Sequence, residues 1–217
     1  MDKDFQDNEL YQAPLGEERE GGYGIYIFLA FLIVLALFFR VWWTNNFGGV
    51  QVDGLSMYQT LNDEERLLMR YVEDGQGVER GDVIVVYVGE YEECNSISSG
   101  FLIKRLIATE GDKVKCTDGQ ISICYAGTSE YVDLDEPYAY YKNDAEKAKY
   151  DFQNQEYVVG EGEIFFLGDN RNNSCDSRYK ELGGSHLKGK LYKATDIYGV
   201  VPEWAIKYSD TLEKIFF

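Results

Sequence analysis

Arg80-Gly81-Asp82-Val83-Ile84-Val85-Val86-Tyr87-Val88 opens on a turn triplet and continues as an unbroken run of β-branched and aromatic residues. Such side chains suit a pleated surface, so the run predicts a strand. Phe101 to Ala108 (FLIKRLIA) is a second strand candidate, and Glu163 to Leu167 (EIFFL) a third, ended by Gly168. Val114-Lys115-Cys116 and Ile121-Ser122-Ile123 flank Asp118-Gly119, a dipeptide that suits the turn matching strand twist. Together they predict a mainly β domain of antiparallel strands over residues 44–217. Residues 126–157 are polar and tyrosine-rich and read as an insertion outside the sheet, with Asp144 to Lys149 as a short helical turn.

Upstream the pattern changes. Residues 23–39 (YGIYIFLAFLIVLALFF) run for 17 positions without a charge. That is roughly 26 Å of helix, and Arg40-Val41-Trp42-Trp43 can extend it. Arg40 can snorkel while Trp42 and Trp43 sit among headgroups. A cleaved leader wants a basic start and small residues at the cut, and this run has neither. A buried core helix should show a polar face, and none is present. A single transmembrane helix over 23–43 is the expectation, with the lipid bilayer as one partner. Arg19 and Arg40 balance across it, so charge leaves the orientation open. Residues 1–22 carry seven acidic and two basic side chains and read as a mobile acidic tail.

The chain has 217 residues, 45 % of them apolar, which is room for about one domain with a sizeable core. Its 21 Lys and Arg face 38 Asp and Glu, for a net charge of −17. A nucleic-acid partner, or a polybasic grip on anionic lipid, needs clustered cations that this chain lacks.

Several short motifs carry little. Gly184-Ser185-His186-Leu187-Lys188-Gly189-Lys190 nearly spells a phosphate loop, but Leu191 stands where a metal-binding hydroxyl is needed. Asp169 to Lys180 resembles a calcium loop at its first position alone. His186 is the single histidine, and Tyr58 follows Gly54-Leu55-Ser56-Met57, so no G-x-S-x-G elbow exists. Zinc sites built on two histidines are excluded, and His186 reads as an ordinary loop residue. No metal and no cofactor is implied. Cys94, Cys116, Cys124 and Cys175 form no C-x-x-C pair. With Asp118-Gly119 as a two-residue turn, Cys116 faces Ile121 while Cys124 faces Lys113, a register that disfavours a bridge between these two. The pairing of the four stays open.

What remains is one lysine among hydroxyls. By strand alternation Lys104 shares a face with Leu102, Leu106 and Ala108. Lost hydration penalises the charged amine, and lowering its pKa from about 10.4 to about 8 costs roughly 3 kcal/mol. A neutral amine can take the proton of a serine hydroxyl. The adjacent Arg105 cannot, because a guanidinium keeps its proton. The plain alternative is a Lys104 that projects from a sheet edge into water.

Taken together, the segments resemble bacterial type I signal peptidases of the Ser/Lys class. Gly54 to Leu61 (GLSMYQTL) is similar to the family's nucleophile box, and Arg80 to Val85 to its R-G-D-I-V-V strand. Lys104-Arg105 with Gly111 to Val114 resembles the lysine box, and Leu134 to Tyr138 a common linking segment. Gly168 to Arg178 (GDNRNNSCDSR) matches the last box at each characteristic position. The likeness covers about residues 23–180. It implies Ser56 as nucleophile, Lys104 as general base and Ser174 as a hydrogen-bond partner orienting the amine. The Ser56 N–H would stabilise the oxyanion, while Gly54 could offer only backbone. Asp169, Arg171, Asp176 and Arg178, with Arg105, would pair charges and hold the last loop against the nucleophile segment. Gln59 and Glu110 depart from family prolines, and the residues after Arg178 depart further.

The resemblance implies a membrane-anchored serine endopeptidase that cleaves signal peptides from exported preproteins with small residues before the cut. Its catalytic domain would be extracytoplasmic on a single-pass anchor in the cell membrane. A non-catalytic relative that assembles surface polymers is the alternative, although such proteins usually lack the serine or the lysine. A self-cleaving repressor would need a DNA-binding helical domain, which is missing.

Overall fold

The computed structural model describes residues 23–89, 100–148, 156–178 and 191–217. The acidic tail, Cys94 and the phosphate-loop-like segment with His186 lie outside the described residues. The chain divides into two compact units, Met1–Trp42 and Trp43–Phe217. Helix α1, Tyr23–Asn46, runs three residues beyond the sequence expectation. Its 24 residues make about 36 Å of helix, long and apolar enough to cross a bilayer. None of them is buried, as those of a core helix would be.

The second unit is mainly β. Seven antiparallel strands form one sheet in the order β1 (Phe47–Gln51), β2 (Arg66–Tyr71), β11 (Ile197–Val201), β3 (Val83–Tyr87), β4 (Phe101–Thr109), β9 (Glu163–Leu167) and β10 (Tyr192–Lys193). A smaller sheet orders β7 (Tyr131–Asp133), β6 (Gln120–Cys124), β5 (Lys113–Thr117) and β8 (Tyr157–Val158). The hairpin β5–β6 turns on Asp118 and Gly119, both at positive φ, and pairs Cys116 with Ile121 and Lys113 with Cys124. Cys116 and Cys124 are accordingly not joined in a disulfide, whereas Cys175 is disulfide-bonded.

The unbroken apolar run of β3 has a physical reason. Ile84 and Val86 enter one core cluster with Leu102, Leu106 and Phe166, while Val83 and Val85 enter another with Met57, Leu61 and Leu67. A strand buried on both faces has no need of polar alternation. Alternation fails on β4, where the register shifts between Leu106 and Ala108 opposite β9. Ala108 therefore joins Ile107 and Phe165 in the third cluster, beside the small sheet, and does not share the face of Lys104 as alternation predicts.

The two sheets meet at Asp112. Its buried carboxylate accepts from Arg80 Nε and Nη2 at 2.7 and 2.9 Å and from the N–H groups of Thr109 and Ala126 at 2.9 and 3.0 Å. Burial pushes this carboxyl upward, but Arg80 and the backbone donors outweigh it and hold the pKa below the ordinary value. The insertion at 126–157 is less separate than its composition suggests. It supplies β7 to the small sheet, a short helix α2 (Asp144–Ala148), and Tyr140, which bridges in parallel to Asn170. Two further helices, α3 (Glu203–Lys207) and α4 (Ser209–Phe216), follow β11 and pack on β2.

Replacing Asp112 by Ala strands two backbone donors and should cost about 2–4 kcal/mol in denaturation of the full chain. Because its folded pKa is depressed, the wild-type advantage should persist above about pH 4 and fade on further acidification. A variant within about 0.5 kcal/mol of wild type would contradict that placement.

Candidate active site

Ser56 stands on the turn between β1 and β2, and Lys104 stands in mid-β4 opposite Ile84. Sixteen residues line a groove of about 240 Å³ beside them; Val52, Ser56, Ile103, Lys104 and Ser174 are among these. The Lys104 amine lies 2.7 Å from Ser56 Oγ and 2.8 Å from the Ile103 carbonyl oxygen. Lys104 is 2 % exposed, so the alternative of a lysine projecting into water does not hold. Burial lowers its pKa to about 8, against the upward pull of Asp176 and Asp169 and with a smaller downward push from Arg178. A neutral amine has two hydrogens and one lone pair. Donating to the Ile103 carbonyl leaves the lone pair free to accept the Ser56 hydroxyl proton.

Gly54 enters the turn at φ +87°, a left-handed conformation that favours glycine. Its N–H donates to Asp63 Oδ1 at 2.7 Å, so the one backbone donor it offers is already engaged. The Ser56 N–H has no backbone acceptor among the described residues.

Ser174 lies on the groove wall, 5 % exposed, and its hydroxyl has no hydrogen-bond partner among the described residues. The bond to the amine implied by the family likeness is therefore not formed. Gly168 packs against it so closely that a Cβ there would sit 2.5 Å from the Ser56 carbonyl oxygen and closer still to Ser174 Oγ. Only glycine fits between them.

The charged residues of the last loop each reach a different place. Asp169 takes a two-pronged bond from Arg105 on β4 at 2.8 and 2.6 Å and one from the Thr60 hydroxyl. The Arg105 guanidinium stacks 3.8 Å from the Tyr138 ring centre. Arg171 pairs with Glu136 in the insertion at 2.6 and 3.2 Å, and donates to the Gly168 carbonyl. Asp176 and Arg178 pair with one another at 2.8 Å through both prongs, Asp176 accepts from the Gly168 N–H, and Arg178 donates to the Arg171 carbonyl. Asp169 thus has a side-chain bond to the segment that carries Ser56, through Thr60, while the Arg171 and Arg178 guanidinium groups bond back onto the loop's own carbonyls.

Sequence reasoning assigned no role to Thr60, Glu136, Gly168 or Asn170. Each lies inside a recognised motif, but spacing does not show which opposite group it meets.

A family model for signal peptidases of peptidase family S26 matches residues 24–204. Signal peptidase I U of Bacillus subtilis is 34 % identical over 130 residues, 58 % of this chain and 63 % of that relative. Signal peptidase I S of the same organism is 32 % identical over 151 residues, 67 % of this chain and 72 % of its own. Signal peptidase I of Bacillus licheniformis is 35 % identical over 155 residues, again 67 % and 72 %. The crystal structure of a signal peptidase I from Enterococcus faecalis aligns with a TM-score of 0.38 at 24 % identity, covering 58 % of this chain and 98 % of its own.

Keeping a dry lysine has a stability consequence. Below about pH 8 the folded protein carries a buried ammonium, and the penalty is relieved only as pH rises toward the unfolded pKa near 10.5. Relative to Lys104→Met, the wild type should therefore gain about 3 kcal/mol of stability between pH 7 and pH 11, read by denaturation of both proteins across that range. A difference independent of pH would show that the amine is hydrated.

Proposed function

The chain belongs to the signal peptidase family, peptidase S26, and from that premise we propose that it is a membrane-anchored serine endopeptidase that cleaves signal peptides from exported preproteins through a Ser56/Lys104 dyad. The observation that carries this reading is the 2.7 Å contact between the Ser56 hydroxyl and an amine whose burial brings its pKa to about 8. The apolar helix α1 supports an anchor. The catalytic domain would be residues 44–217 and would stand outside the cytoplasm, where exported chains emerge.

The chemistry follows from the contacts. Neutral Lys104 accepts the Ser56 proton as Oγ attacks the scissile carbonyl, and the oxyanion forms against the Ser56 N–H. The tetrahedral adduct collapses, the lysine ammonium returns its proton to the leaving amine, and Ser56 retains the acyl group. A water deprotonated by the same lysine then attacks the ester and frees the serine. The precursor would lie extended in the groove between the β1–Ser56 segment and the start of β4. Among the described residues β1 ends the sheet with one edge unpaired, so main-chain bonds can hold a substrate whose small residues fit shallow walls.

Ser56→Ala and Lys104→Ala should each lower preprotein cleavage by at least about 10³-fold in the detergent-solubilised full chain. In the wild type, the rate should rise about tenfold per pH unit below pH 8 and level above it, because the protonated lysine is inactive as a base. Near-normal cleavage by either variant, or a rate flat from pH 6 to 10, would overturn the dyad.

A further inference from the structure

Asn170 touches the backbone around the nucleophile twice without touching the Ser56 hydroxyl. The Asn170 side-chain amide Nδ2 donates to the Leu55 carbonyl oxygen at 3.0 Å, and the Asn170 backbone N–H donates to the Ser56 carbonyl oxygen, also at 3.0 Å. Both peptide units that flank Ser56 are thus tied to one residue of the opposite loop. We propose that Asn170 is a positioning residue whose side-chain bond to the Leu55 carbonyl aims the Ser56 N–H at the developing oxyanion; this rests on the dyad reading given above.

The Leu55–Ser56 peptide is trans, so its N–H points opposite to its C=O. Drawing the Leu55 carbonyl toward Asn170 therefore turns the Ser56 N–H away from Asn170. That N–H has no backbone acceptor among the described residues, and Ser56 lines the groove. Gly54 cannot take its place, because its own N–H is held by Asp63. An oxyanion donor is worth most when its direction is fixed before reaction, since reorientation in the transition state forfeits part of its benefit.

Asn170 is itself held firmly. It is 7 % exposed and sits between Asp169, paired with Arg105, and Arg171, paired with Glu136. On its other side the loop is bonded to Tyr140, whose N–H donates to the Asp169 carbonyl at 2.7 Å and whose carbonyl accepts from the Arg171 N–H at 3.0 Å. The insertion thus holds the backbone on both sides of Asn170, and the Tyr140 ring also meets Tyr58 edge-on at 5.1 Å. The Lys104 contacts, to Ser56 Oγ and the Ile103 carbonyl, include no atom of Asn170. Aim and proton transfer are separable.

The test compares Asn170→Ala and Asn170→Asp with wild type in the detergent-solubilised full chain. Asn170→Asp keeps size and the backbone bond but replaces the donor with an anion facing the Leu55 carbonyl, so it serves if the alanine variant folds poorly. The probes are a preprotein substrate, a peptide aldehyde that forms a tetrahedral adduct with a serine, and an uncleavable amide of the same sequence. Both variants should lose about 10- to 100-fold in kcat, a fraction of what deleting an oxyanion donor costs. KM and amide affinity should stay within about twofold, aldehyde affinity should fall by the same factor as kcat, and the pH limb should stay near 8. Wild-type kcat in either folded variant would overturn the inference, as would equal losses for aldehyde and amide or a displaced pH limb, which mark general loosening. Ser56→Ala separates the two readings. If it is inactive while the Asn170 variants are normal, the positioning role alone fails; if it is active, the dyad fails first.

Discussion

The site depends on keeping one lysine dry. An ammonium in water holds its proton to a pH of about 10.4, where a serine hydroxyl gains nothing from it at neutrality. Lys104 escapes that limit because β4 carries it beneath the Ser56 turn on one side and the last loop on the other. The charges nearby are then a hazard, since an unpaired carboxylate would draw the proton back. Asp169 and Asp176 do pull the pKa upward, but each is bound through both oxygens to an arginine, and Arg178 pushes the other way. Desolvation wins because the neighbouring charges are largely cancelled in pairs.

That arrangement accounts for the many buried charges around one dry lysine. Buried ion pairs contribute little net stability against an apolar substitute, so stability is a weak reason to keep them. Their geometry is the stronger one. Arg105 ties the loop to the strand bearing the lysine, Glu136 ties it to the insertion, and the Asp176–Arg178 pair stiffens it internally. The loop then holds Gly168 and Asn170 against the Leu55 and Ser56 backbone, with Ser174 packed behind Gly168.

Much of this was legible in the residues. The runs at 83–88, 101–108 and 163–167 and the Asp118-Gly119 hairpin announce their strands, because β-branched runs and positive-φ turns are local properties. β2 was missed, although Leu67, Leu68 and Met69 are apolar, since its length and composition do not separate it from a helix turn. β11 was missed too, and it lies mid-sheet between β2 and β3. Its place depends on pairing with strands over a hundred residues upstream, which spacing does not reveal. That Ser56 and Lys104 would meet was anticipated through chemistry and likeness together, and the two lie 2.7 Å apart. The contacts of Glu136 with Arg171 and of Asn170 with Leu55 and Ser56 were not, because each joins segments far apart in the sequence. Ala108 shows the limit of alternation: one register shift moved it to another core.

Proton transfer from Ser56 requires that a single amine, that of Lys104, titrate well below the ordinary lysine range. Lysine labelled with carbon-13 at Cε, with the Lys104 signal identified by its absence in Lys104→Arg, allows that group to be titrated directly by NMR in the full chain. The shift should show a midpoint near pH 8. A midpoint at the ordinary lysine value of about 10.4 would contradict the account, since at pH 7 fewer than about one amine in a thousand would then be neutral, against about one in ten at a pKa of 8.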